Sequence, residues 1–363
     1  MKSFVSKHQK RRIAIVGCGE YMYHVLWPAM RGREVELAGI CDIDPAKLDR
    51  FAAMYQTKLQ HESDRKHLSG YYTNYIEMLE TVEPEAVICA VNPAVHFEVA
   101  KACLERGIHI FIEKTPCNTY VQAKALAELA NKNKLVAMVG FNRRFATGYL
   151  MAKDLIGDQK KFGEPAMYYS KFNAGPYRSH EYFVTNHIIH HLDLAYYLLG
   201  AEIEEINMRF RNVNAAGKAE EATGAFIVDF TTTSGTIGTI QAASLPDEPL
   251  PMERLDIVGT SGHEIIVDNL RSLNYYRSGP RRDLQQQPLL ENGDILAWQA
   301  NNGSAYAYHH LGFTEQMDHF LAAIESRMKA GTATDVETVI DCGCSMESCL
   351  PVMRDVEKLL AMM

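Results

Sequence analysis

The sequence predicts two domains of different class. Residues 1–140 read as a doubly wound parallel α/β domain, and residues 141–363 as an α+β domain around a large, mostly antiparallel sheet with one open face. Three observations carry this. The first third alternates continuous apolar runs with helical segments, the signature of strands buried on both faces of a parallel sheet. Beyond Gly140 the pattern changes to long segments of period two, as in strands with one solvated face. A glycine turn follows the first strand, and an acidic residue ends the second.

Taken in order, RRIAIVGCGE is a strand entering a glycine turn, and YMYHVLWPAMRG a helix interrupted or ended near Pro28. VELAGICDID is the second strand, and PAKLDRFAAMYQ a helix with Pro45 in its first turn. A short strand and helix occupy YYTNYIEMLETV. EAVICAVNP, IHIFIEKTP and LVAMVGFNRRF are further strands, separated by helices over HFEVAKACLERG and NTYVQAKALAELANKNK. Past GYLMAKDLIG, the two-periodic segments are EPAMYYSKFN, EEINMRFRNVN, GAFIVDFTTT, GTIGTIQAAS, ERLDIVGTSG and HEIIVDN. RSGPRRDLQQQPLLENGD reads as a polar loop, and the end of the chain as helical.

A formal net charge of -8 does not favour nucleic acid or an anionic membrane as partner. The basic start MKSFVSKHQKRR has no apolar core of a secretory signal, and no run is long enough to span a bilayer. A cytoplasmic protein is expected. The eight cysteines contain no C-x-x-C pair, so buried reduced thiols are expected and no cysteine-based metal site.

The turn Gly17-Cys18-Gly19-Glu20-Tyr21-Met22 carries two of the three glycines of the dinucleotide fingerprint, with Met22 in the third place. Gly17 permits the tight turn, Gly19 lets the backbone approach a pyrophosphate, and the helix N-terminus faces the phosphates. Asp42 can accept the ribose hydroxyls and repels a 2′-phosphate, which favours NAD over NADP. The other role open to Asp42 is capping the next helix, for which Asp44 is better placed. Ligands of such sheets lie beyond the strand ends, which here carry Asn92, Pro93 and His96, then Glu113 and Lys114, then Asn142, Arg143 and Arg144. Lys114 is either a cation that stabilises a developing alkoxide or a surface lysine paired with Glu113.

Residues 186–199 have helical periodicity, with Gly200 as the stop. Helical phase puts Asn186, His190, Asp193 and Tyr197 on one polar stripe, and His187 and His191 on another. The i, i+4 pair His187 and His191 lacks the glutamate of a zinc helix, since Ile188 stands there, so no metal is expected. Tyr177 and Arg178 precede the helix and could bind hydroxyls or a carboxylate.

Six stretches, IAIVGCG, ICDIDPAKL, AVICAVNPAVHFEVAKACLERGIHIFIEKTP, MVGFNRRF, HIIHHLDLAYYLLG and LDIVGTSGHEIIVDN, resemble the Gfo/Idh/MocA oxidoreductases, including their virulence-factor-like members. The resemblance implies a Rossmann domain and a C-terminal domain whose open sheet commonly forms a homodimer or homotetramer. It also implies hydride transfer between NAD(P) and a sugar, cyclitol or related polyol. The family's Glu-Lys-Pro appears as Glu113-Lys114-Thr115-Pro116. Its Asp-x-x-x-His-x-x-Asp makes His190 the general base, with Asn186 where an Asp is expected. Cofactor contacts are then expected from Gly17 through Met22, Asp42, Asn92, Pro93, His96, Glu113, Lys114 and Arg143. Substrate contacts are expected from Lys114, Tyr177, Arg178, Asn186, His187 and His190. Two alternatives remain: NAD-assisted glycoside cleavage by transient oxidation, and a non-catalytic NAD-binding sensor or scaffold, which Asn186 motivates.

Overall fold

In the computed structural model the described residues are 10–30, 32–58, 70–177, 179–213, 222–245, 252–277, 295–300, 310–330 and 343–363. Residues 1–9 of the basic start and nearly all of the polar loop lie outside them. The chain forms two compact units, Met1–Gly140 with Gln316–Ser348, and Phe141–Glu315 with Cys349–Met363.

The first unit holds a six-stranded parallel sheet: β1 Arg11–Val16, β2 Val35–Cys41, β3 Tyr71–Tyr72, β4 Ala86–Cys89, β5 His109–Ile112 and β6 Ala137–Val139, in the order β3-β2-β1-β4-β5-β6. β4, β5 and β6 are buried throughout and β1 from Ile13 onward, as expected of a sheet covered on both faces. Side-chain caps start its helices: Asn74 accepts from the Ile76 N–H, Asn92 from Ala94 and Thr119 from Gln122. The first helix ends at Ala29, next to Pro28, as expected. It takes a wide π turn at Met22–Leu26 and continues through Trp27–Ala29. A wide turn accommodates a proline that has no N–H and crowds the preceding turn.

The late segment belongs to this unit through named contacts. Phe320, in the helix Phe313–Ala330, meets Phe111 of β5 edge-on at 5.9 Å. Arg33 binds both carboxylate oxygens of Asp318 at 2.6 Å. Backbone bonds from Val139 to Cys344 and from Met346 to Ala137 then extend the sheet beyond β6.

The second unit is an eight-stranded sheet in the order β14-β13-β12-β11-β7-β10-β9-β8. Its strands are β7 Pro165–Asn173, β8 Ile203–Asn212, β9 Gly224–Thr232, β10 Ile237–Ala243, β11 Met252–Gly259, β12 Glu264–Asp268, β13 Ser272–Tyr276 and β14 Ile295–Gln299. Every pairing is antiparallel except β7 with β10. Alternation is strict on β9, where Phe226, Val228 and Phe230 are buried. The other face is open, with Met167 and Ile237 more than half exposed. β13 and β14 were not expected: each is five residues long, and β13 follows a turn in which Asn269 and Leu270 adopt positive φ. Helices Thr147–Gly157, His180–Leu199 and Leu350–Ala361 belong to this unit. Among the described residues, no helix is long and apolar enough to cross a membrane.

Candidate functional site

In the first unit, the strand order reverses between β1 and β4, and ligands of open α/β sheets bind beyond the strand ends at such a point. Gly17 follows β1 with φ +93°, and a Cβ there would stand 2.2 Å from the Ala90 carbonyl oxygen. Only glycine suits that position. At Gly19 a Cβ would have no heavy atom within 4 Å, so the backbone is open to a close-approaching group.

Asp42 ends β2 beside this turn. One carboxylate oxygen accepts the Cys18 N–H at 2.8 Å and the other the Asp44 N–H at 2.9 Å. Each oxygen keeps further acceptor capacity. The cap of helix Pro45–Lys58 is Asp44, which accepts from Ala46 at 3.0 Å. Three residues of the turn have side-chain settings of their own. Met22 is fully buried, so its side chain is core and not a cofactor contact. Glu20 is exposed and paired with Arg50 and His24, and Tyr21 is exposed.

Asn92 and Pro93 start the helix that carries His96. The buried His96 ring places Nδ1 2.7 Å from the Thr115 carbonyl oxygen, so Nδ1 carries the proton. Burial, aided by Lys114, lowers its pKa, and the ring is neutral at pH 7. Glu113 is buried and accepts the Lys114 N–H at 3.3 Å. Burial raises its carboxyl to about 7, against the opposing pull of Lys114. Gly140 makes room for it, since a Cβ there would meet Glu113 Oε1 at 2.6 Å. Lys114 itself is half-buried just past β5, and its peptide bond to Thr115 is cis.

In the second unit, one helical run from His180 to Leu199 carries the histidines. Ser179 caps it, and Gly200 closes it with φ +63° and an N–H to the Tyr196 carbonyl. The run is not a uniform α-helix, because Val184–Ile188 form a wide π turn. A stripe drawn at the α-helical period therefore does not pass unbroken through Asn186. His187 is half-buried, stacked on Tyr177 at 4.4 Å and on Phe172 at 5.2 Å. His190 is 5% exposed and meets Phe141 edge-on. His191 is fully buried, its Nε2 3.7 Å from Glu253 Oε1. Asn186 is buried, and its amide nitrogen donates to the Tyr182 carbonyl at 3.0 Å and to Thr185 Oγ1 at 3.2 Å. Arg178 lies outside the described residues.

Arg143, expected near the cofactor, and its neighbour Arg144 have carboxylate partners in this unit. Arg144 grips the fully buried Asp193 through Nε and Nη2, so Asp193 is an ion-pair partner and does not share the setting of His190. Arg143 Nε and Nη2 bind Glu253 at 2.6–2.9 Å, which neutralises the charge expected at the cofactor. Glu253 also accepts the Tyr149 hydroxyl at 2.6 Å. Burial alone would raise this carboxyl, but Arg143, His191 and Tyr149 outweigh it and hold it below the usual range. Glu253 did not emerge from motifs. The signal was strand parity, which places it on the inward face with Leu255 and Ile257. Among the described residues, no group of three or more His, Cys, Asp or Glu side chains could hold a metal.

Residues 11–141 match the family model described as an oxidoreductase family with an NAD-binding Rossmann fold, and residues 149–263 the GFO/IDH/MocA C-terminal domain. Inositol 2-dehydrogenase of Salmonella paratyphi B is 25% identical over 180 residues, 48% of this chain and 50% of that protein. The scyllo-inositol 2-dehydrogenase (NAD(+)) of Bacillus subtilis is 29% identical over 207 residues, 54% of this chain and 58% of that protein. The chain thus spans about half the length of these curated relatives. A dehydrogenase structure from Chromobacterium violaceum has a TM-score of 0.79 at 20% identity, covering 97% of this chain and 95% of that one, a likeness of fold.

Proposed function

Since the chain belongs to the Gfo/Idh/MocA oxidoreductase family, we propose that it transfers hydride between NAD and a cyclic polyol or sugar. The observation that carries this is Lys114, a lysine just past β5 of the sheet that also holds the Gly17–Gly19 turn and Asp42. The open backbone at Gly19 suits a pyrophosphate, and the Asp42 carboxylate suits ribose hydroxyls, favouring NAD over NADP. When bound, the nicotinamide supplies the hydride chemistry. Lys114 donates to the reacting hydroxyl oxygen and favours its negative charge as the proton leaves. His190 takes that proton, a task suited to an imidazole with a pKa near neutrality. His187 and Tyr177, half-buried and stacked, contact the substrate ring.

The inositol dehydrogenases among the relatives support a cyclitol over an acyclic substrate. The same reading makes the chain a homodimer or homotetramer through the open face of its second sheet. The test is NADH formation with a panel of inositols and hexoses. Lys114→Ala and His190→Ala are each expected to lose about 100-fold or more in turnover. Full activity in both variants would sink the residue roles. NAD binding with no turnover of any polyol would sink the dehydrogenase reading.

A further inference from the structure

The family pattern puts an aspartate where this chain has Asn186, and the local geometry gives a reason for the amide. In a π turn each N–H reaches one residue further back than in an α turn, so the hydrogen-bond pattern changes at the carbonyls just before it. Two side chains converge on one such carbonyl. Asn186 Nδ2 lies 3.0 Å from the Tyr182 oxygen and Thr185 Oγ1 3.3 Å from it. Thr185 has a single hydroxyl proton and also faces the Glu181 carbonyl at 2.9 Å. Asn186 has two amide protons, which match the Tyr182 oxygen and, at 3.2 Å, Thr185 Oγ1. At 7% exposure, water replaces these bonds poorly.

We propose that Asn186 is a positioning residue: its amide closes the wide turn at Val184–Ile188 and thereby sets the directions of His187 and His190. A carboxylate has no proton to give, and would set its lone pairs against those of Tyr182 and Thr185. In this chain the asparagine goes with the turn, and is not an aspartate that has lost its function. The geometric claim stands without the activity; only its consequence for turnover rests on the base role proposed for His190.

The test is thermal unfolding of the full chain, without cofactor or substrate, as wild type, Asn186→Asp and Asn186→Leu at pH 5 and pH 8. A protonated aspartic acid can donate to the Tyr182 carbonyl, and an ionised one cannot. The folded pKa of the new carboxyl is therefore raised above its unfolded value. The stability it retains at low pH is lost as pH rises through that folded pKa. Asn186→Asp is expected to melt about 3–8 °C below wild type at pH 8, with the gap less than half as large at pH 5. Asn186→Leu, which has no donor, is expected to melt lower by a similar amount at both pH values.

The elements packed on the turn include its flanking helical stretches, β7 through Phe172 stacked on His187, and helix Leu350–Ala361, whose Arg354, Asp355 and Lys358 pair among themselves and with Tyr196 and Glu202. These groups, with Glu181, His187 and His190, are common to all three proteins, so their own titration cancels in the comparison. If Asn186→Asp folds only at low pH, the proposal is supported. If it folds at neither, Asn186→Leu decides. Asn186→Leu melting with wild type, or a gap for Asn186→Asp that widens towards pH 5, would overturn the proposal. Once a substrate is known, Asn186→Asp should lower kcat with KM little changed, whereas a restored proton acceptor would raise it.

Discussion

His191 is buried without charge beside two charged groups. Burial, with help from Arg143 and against Glu253, depresses its pKa to about 4. Its ring nitrogens have no hydrogen-bond partner among the described residues. A histidine whose folded pKa lies below its unfolded value contributes stability that is complete above the unfolded value. That stability is lost as pH falls towards the folded pKa. The window is thus about 6.5 down to 4, and the loss is at most roughly 3 kcal/mol. Glu113 has the opposite sign: its carboxyl, raised to about 7, gives up stability as pH rises from 4.5 to 7. The two lie in different units, and so does each of the two tryptophans. With Trp27→Phe in place, Trp298 fluorescence reports on the second unit alone. Its urea midpoint is expected to fall between pH 6.5 and 4.5, and His191→Phe to flatten that fall. An undiminished slope in His191→Phe would place the acid sensitivity elsewhere. None of this was legible in the HIIHH stretch, because a histidine's environment depends on which strand lies beneath it. Gly17, Asp42 and Lys114 were legible because each occupies a strand end that the sequence itself marks.

Elements are joined in the second unit by a polar knot around Glu253. β11 supplies the carboxylate, the helical turn Asn142–Phe145 supplies Arg143, and helix Thr147–Gly157 supplies Tyr149. Removing the charge of one partner leaves the other buried and uncompensated, at about 3–5 kcal/mol. Glu253→Gln is therefore expected to lower unfolding stability by about that much. Arg143→Met combined with Glu253→Leu should recover part of the loss, since both charges then leave together. Urea unfolding of the three proteins checks this, and a cost below about 1 kcal/mol for Glu253→Gln would mean the knot does not bind these elements. Most elements followed from apolar periodicity and turn residues. β13 and β14 did not, because five mixed residues present too little alternation to stand out. The π turn at Val184–Ile188 was also hidden. A wide turn leaves the apolar spacing of Leu192, Ala195 and Leu199 intact and shifts only what precedes it.

At the scale of the whole molecule, chain order and folding unit part company. The change of pattern near Gly140 is visible in sequence, but the return of the chain to the first unit at Gln316–Ser348 is not. That return depends on contacts between distant segments, and Met317, Phe320, Ala323 and Ile324 resemble any amphipathic helix until their partners are known. The consequence concerns truncation. A chain cut to residues 1–140 loses the cover that Phe320 gives Phe111, the Asp318 partner of Arg33, and the backbone bonds that flank β6. It then exposes apolar surface together with an unpaired strand edge, the two features that promote association between chains. Residues 1–140 alone are expected to be poorly soluble or to unfold without a cooperative transition. Residues 1–140 joined to 313–348 through a long Gly/Ser linker are expected to unfold cooperatively and bind NAD. Circular dichroism melts and NAD titration of the two chains decide the matter. Equal cooperativity and affinity in both would show that the late segment only decorates the dinucleotide unit, while failure of both would show that this unit depends on the remainder of the chain.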